Sequence, residues 1–219
     1  LLPFEPEFLA KRGVNAPYFG HPALDRFAPG SATESGVLVL APGSRKAELQ
    51  RLAPVFAATA DRLGMKPRWI RPSSWTEGAY RAMLREALQA EPHGELAEGM
   101  ASARGARAAL VASGTATLEL ALLKVPMVVA YKVDALSFAL AKRLVKVKYV
   151  SLVNLVLGRE AVNERLQNQC APEVLAQDLS ELMADGPLRS MMLADFEQFA
   201  AALGEGGAMD RTASYLLQE

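Results

Sequence analysis

Apolar residues gather along this chain in two ways, and the alternation between them sets the expected architecture. Short unbroken apolar runs stand at Val37-Leu38-Val39-Leu40-Ala41, Ala108-Ala109-Leu110-Val111-Ala112 and Pro126-Met127-Val128-Val129-Ala130-Tyr131. Runs of this length without polar alternation fit strands buried on both faces of a sheet. Arg68-Trp69-Ile70-Arg71 is a shorter strand, closed by Pro72-Ser73-Ser74. Between the runs the period becomes helical. Leu49, Leu52, Val55, Phe56 and Ala60 make an apolar stripe over residues 46–63, and Tyr80, Met83, Leu84, Ala87 and Leu88 make another over 77–89. Pro54 inside the first stripe predicts a kink or a broken first half. Strand and helix alternate, which predicts an α/β fold with a parallel sheet.

The flanks are less regular. Pro3, Pro6, Pro17, Pro22 and Pro29 argue against a long helix in residues 1–30 and suggest a linker or the last unit of a preceding domain. Residues 90–97 leave room for a short strand only, and residues 99–104 for a short helix. A helix is expected over 135–145. The polar-studded stretch 149–169 reads as a substrate rim or an exposed helix. Helices over 172–184, 187–203 and 208–217 follow, broken at Asp185-Gly186 and at 204–207. The expected organisation is a sheet domain over 31–186 with C-terminal helices over 187–219.

Composition narrows the function classes. A 51% hydrophobic content supports a real core, and equal counts of 24 basic and 24 acidic residues give no global field for nucleic acid. The single cysteine, Cys170, excludes an internal disulfide and a multi-cysteine zinc site, in keeping with a reducing compartment. No apolar run reaches the roughly 18 residues of a membrane span. Leu1 opens the chain without the basic start of a signal peptide, so it reads as a chain entered midway.

The candidate chemistry lies at two strand-to-helix junctions. Ser113-Gly114-Thr115-Ala116-Thr117 follows one apolar run and opens a helix containing Glu119. Backbone N–H groups and the helix dipole at such a junction favour an anion, most often phosphate. A diphosphate on that turn with a ribose on Glu119 would make a nucleotide-sugar site. Pro42-Gly43-Ser44-Arg45 follows another run, and Arg45 reads either as a fixed guanidinium for a diphosphate or as a solvated arginine. His21 is a turn histidine beside a helix cap or a group lining a cleft; His93 is expected exposed, with no role. Lys142, Arg143, Lys146 and Lys148, with no acid between Asp134 and Glu160, read as a membrane-surface contact or as the cationic end of an ordinary helix.

Several of these segments, in this order, resemble the lipid-A-disaccharide synthases. They are Gly20-His21-Pro22 with Asp25, Pro42-Gly43-Ser44-Arg45 with Glu48, Ser113 to Glu119, Lys124 to Tyr131, Leu140 to Val145, Tyr149 to Leu155, and Gly158-Arg159-Glu160 followed by Leu166-Gln167. The resemblance covers the C-terminal portion of that family. It implies a Rossmann-like parallel sheet, the C-terminal half of a B-type glycosyltransferase fold, with another Rossmann-like domain expected ahead of Leu1. It further implies transfer of diacylglucosamine from UDP to diacylglucosamine 1-phosphate, with inversion, without metal or cofactor, at the cytoplasmic face of the inner membrane. Gly43, Ser44, Arg45, Ser113, Gly114, Thr115, Ala116 and Thr117 would meet the diphosphate, and Glu119 the ribose hydroxyls. Asn154, Arg159 and Gln167 match polar positions of the family expected to face the cleft. The general base is expected on the other half, so no catalytic residue is assigned here. Oligomeric state, a homodimer included, stays open. A UDP-sugar 2-epimerase and a nucleotide-binding module without chemistry are the competing readings.

Overall fold

In the computed structural model, which describes residues 2–27, 35–134 and 148–217, the three apolar runs lie side by side at the centre of one sheet. They are β1 (Ser35–Ala41), β4 (Ala106–Ala112) and β5 (Met127–Tyr131). Outside them lie β2 (Arg68–Arg71), β3 (Glu95–Glu98) and β6 (Asn163–Leu166), giving the order β3-β2-β1-β4-β5-β6 with every neighbouring pair parallel. Leu38 to Leu40, Ala108 to Val111 and Met127 to Ala130 are wholly buried, because both faces of the sheet are covered.

The crossovers run in opposite directions from the middle. From β1 the chain passes through α3 (Lys46–Arg62) to β2 and through α4 (Glu77–Leu88) to β3. From β4 it passes through α5 (Thr115–Leu122) to β5. Right-handed crossovers of opposite sense place their helices on opposite faces. Accordingly α3 packs on α4 and on α7 (Pro172–Met183), while α5 packs on α6 (Leu152–Leu157) and α8 (Pro187–Ala202). Met192, Phe196 and Phe199 of α8 are buried in the common core, so this helix packs back on the sheet domain.

The chain ahead of β1 is fastened to its far end. Short helices α1 (Glu5–Ala10) and α2 (Ala23–Arg26) precede the sheet, and α9 (Ala208–Leu216) follows α8. The Tyr18 hydroxyl donates to the Leu203 carbonyl at 2.9 Å, the His21 N–H to the same carbonyl at 3.1 Å, and Arg211 to the Phe19 carbonyl at 2.6 Å. Gly20, at φ +95°, is required here, since a Cβ would stand 2.8 Å from the Glu205 carbonyl oxygen. His21 Nδ1 accepts from the Ala23 N–H at 3.0 Å, at the start of α2.

Two expectations need correction. The broken first half expected at Pro54 is not found: helix α3 continues through it, and Pro54 sits on the exposed face where water can serve the carbonyl that loses its N–H partner. The stretch 149–169 is not one exposed helix, since it supplies the partly buried α6 and the edge strand β6. Lys142, Arg143 and Lys146, and the helix expected over 135–145, lie outside the described residues. Lys148 is exposed, its Nζ 5.0 Å from the Tyr149 ring.

Candidate functional site

The two strand-to-helix junctions adjoin, because β1 and β4 are neighbours and Ala41 pairs with Val111. They flank the point where strand order reverses, the crevice in which open α/β sheets receive ligands. A cavity of about 510 Å³ opens there. Gly43, Ser44, Arg45 and Glu48 line it from the first junction, and Ser113, Gly114, Thr115, Ala116 and Glu119 from the second. Ser73, Gly99 and Met100 add the turns after β2 and β3.

The first turn is held from outside. The Trp75 indole N–H donates to the Ser44 carbonyl at 3.1 Å, and the buried Tyr80 hydroxyl to the Gly43 carbonyl at 3.4 Å. Burial pushes the Tyr80 phenol well up, so it is a neutral donor. Arg45 is the N-cap of α3. Its Nη1 donates to Glu48 Oε1 at 2.7 Å, and its backbone N–H approaches Glu48 Oε2 at 3.4 Å. The Arg45 side chain is nonetheless 80% exposed. Gly43 has φ +116°, and a Cβ there would lie 2.5 Å from Glu48 Oε2, so only glycine lets this carboxylate close on the turn.

The second turn is built differently. Gly114 is the N-cap of α5 with no side-chain cap, leaving the N–H groups of Thr115 and Ala116 to the cavity end, while the Thr117 N–H donates to the Gly114 carbonyl at 3.1 Å. Ser113 Oγ donates to the Val150 carbonyl at 2.6 Å, and Thr117 Oγ1 donates to the Gly114 carbonyl at 2.8 Å while accepting the Leu152 N–H at 3.3 Å. The start of α6 is thereby tied to the turn. Glu164 of β6 completes the tie, accepting from the Val150 and Ser151 N–H groups at 2.9 Å each. One helical turn in, half-buried Glu119 faces the cavity. Burial pushes its carboxyl above the ordinary range, against a smaller downward pull from the Arg26 charge.

The remaining predicted residues are not brought to the cavity. Thr117 is buried under the turn that it braces. Asn154 is wholly buried and spends its amide internally. Nδ2 donates to the Val162 carbonyl at 2.9 Å and to Glu164 at 2.8 Å, and Oδ1 accepts from the Ala161 and Val162 N–H groups at 2.7 and 2.9 Å. Arg159 pairs with Asp195 and bonds Gln198, both at 2.8 Å, joining the end of α6 to α8. Gln167 accepts the Val133 N–H at 3.2 Å. Sequence reasoning missed Arg26, Ser73, Gly99 and Met100. The rule that carboxyl ends of parallel strands line the crevice points to Ser73 and Gly99, whereas no local signal marks Arg26. Among the described residues no three His, Cys, Asp or Glu come together as a metal site, and no helix is long and apolar enough to cross a membrane.

Comparison with known proteins adds the family. A model of the lipid-A-disaccharide synthetase family matches residues 1–208. The lipid-A-disaccharide synthase of Alkalilimnicola ehrlichii is 40% identical over 99% of this chain and 62% of its own length. Its counterpart in Anaeromyxobacter sp. strain K is 37% identical over 99% and 61%, and that of Erwinia tasmaniensis 39% identical over 90% and 56%. The chain thus spans 56–62% of the length of these curated relatives.

Proposed function

The chain belongs to the lipid-A-disaccharide synthetase family, and from that premise we propose that it is the donor-binding part of an inverting glycosyltransferase. The donor is UDP-diacylglucosamine, the acceptor diacylglucosamine 1-phosphate, and the product the β-1,6-linked disaccharide of lipid A. The observation that carries this reading is one cavity shared by Arg45 and Glu119, which come from separate junctions. A diphosphate set between the turns would meet the uncapped N-terminus of α5 and the Arg45 guanidinium, with the ribose hydroxyls on Glu119. Arg45 gives Glu48 one side-chain N–H of its five, and the others can follow the diphosphate.

In the reaction the acceptor 6-hydroxyl bonds to the anomeric carbon as the bond from that carbon to the diphosphate oxygen breaks. The electron pair leaves with UDP, and Arg45 and the α5 N–H groups stabilise that growing charge. The hydroxyl proton passes to a base to which no residue of this chain is assigned. The basic segment with Lys142, Arg143, Lys146 and Lys148 would hold the protein at the cytoplasmic face of the inner membrane, where both acylated substrates reside.

The test is calorimetric titration with UDP. Arg45→Ala is expected to weaken binding by about 1.5–3 kcal/mol, the worth of a charged hydrogen bond. Equal affinity in wild type and variant would remove Arg45 from the site.

A further inference from the structure

Resting on that reading, we propose that Arg26, carried by the segment ahead of β1, is a second guanidinium contact for the phosphates of the bound nucleotide. The other described residues lining the cavity stand at the carboxyl ends of β1 to β4, in the turns that follow, or in α3 and α5. Among the described residues Arg26 alone comes from ahead of β1, carried by α2.

Three observations converge. First, among the described residues the cavity lining holds two cations and two carboxylates, namely Arg26, Arg45, Glu48 and Glu119. Arg45 is already engaged by Glu48 at 2.7 Å. Arg26 makes no ion pair among the described residues, and its guanidinium carbon stands 5.4 Å from the ring centroid of neighbouring Phe27. A diphosphate entering a cavity with two acidic side chains needs a cation that is not already spoken for.

Second, the base of Arg26 is fixed. Ala23 and Phe27 on either side are buried in the core. The Gly207 N–H donates to the Asp25 carboxylate, and His21 Nδ1 accepts the Ala23 N–H at the helix start. A guanidinium on a rigid base loses less freedom on meeting a phosphate than one on a loose loop. Third, Arg26 and Glu119 line the same cavity, and the Arg26 charge acts on the Glu119 carboxyl. A ligand whose ribose rests on Glu119 would therefore bring its phosphates within the field of Arg26.

The experiment titrates the full chain, as wild type, Arg26→Ala and Arg26→Lys, with UDP and separately with uridine, followed by NMR. Arg26→Ala is expected to weaken UDP about tenfold or more, as for a lost charged hydrogen bond. Uridine, which has no phosphate, should change by less than about twofold, and Arg26→Lys should restore part of the UDP affinity. The exposed position of Arg26 makes an unaltered melting temperature the control for folding. Unchanged UDP affinity overturns the proposal. An equal loss for UDP and uridine also overturns it, since Arg26 would then act by supporting Glu119. No UDP binding by wild type would defeat the nucleotide reading itself, and this proposal with it.

Discussion

Replacing Asn154 tests the claim that this amide supports the site without touching a ligand. Its four hydrogen bonds hold the Ala161 and Val162 N–H groups, the Val162 carbonyl and one oxygen of Glu164, all with no exposure of Asn154 itself. In Asn154→Ala the Glu164 carboxylate keeps its two backbone donors, but two N–H groups and a carbonyl lose their partner. Each buried group so stranded costs about 1–3 kcal/mol, and water entering the space recovers part, so a loss of about 3–5 kcal/mol is expected. That is a large share of the roughly 5–15 kcal/mol stability of a domain, and corresponds to a melting point lower by about 10 °C. Urea unfolding followed by circular dichroism measures it. Asn154→Asp sharpens the test by turning a donor into an acceptor beside Glu164. Its buried carboxyl would hold a proton to higher pH than the about 3.9 of the unfolded chain. Between those values the native state binds more protons, so stability must fall as pH rises. A loss below about 1 kcal/mol for the alanine variant, or a pH-independent aspartate variant, would refute the reasoning.

The raised Glu119 carboxyl makes the same kind of prediction for the wild type. This group favours folding below the ordinary value of 4.5 and costs stability as pH rises above it, so Glu119→Gln should gain on wild type from there upward in urea midpoint while losing UDP affinity. No gain at neutral pH would show that Glu119 is not desolvated. Gly43→Ala forces a side chain into φ +116° and against Glu48, so a stability loss of about 1–3 kcal/mol and weaker UDP binding are expected. Wild-type values in both assays would contradict the turn geometry. For the membrane role, the protein should sediment with vesicles containing anionic lipid and less so after Lys142, Arg143, Lys146 and Lys148 are replaced by Gln. Equal sedimentation would end that assignment.

What could be read from the chain follows the physics of each element. β1, β4 and β5 announce themselves because their central runs, 38–41, 108–112 and 127–130, are covered on both faces and carry no polar residue to confuse the pattern. β3 and β6 are the two edges of the sheet, each with one neighbour. There Glu95, Glu98, Glu164 and Arg165 are tolerated because each finds a partner. Arg68 pairs with Glu95, Arg71 with Glu98, and Asp178 with Arg165 at 2.6 Å. That polarity underlies both readings of residues 149–169. The two junctions were legible since strand, small residues and helix succeed one another locally. Asn154 was not, because a buried amide with every bond satisfied and one facing a cleft look alike in sequence. Arg26 reaches the cavity only through packing made by distant residues.

That packing reaches across the chain. Tyr18 and Leu203 are 185 residues apart, and Phe19 and Arg211 are 192 apart. The segment that carries Arg26 is thus seated by residues from beyond α8, so a change at Leu203 to Arg211 can reach the cavity without touching either turn.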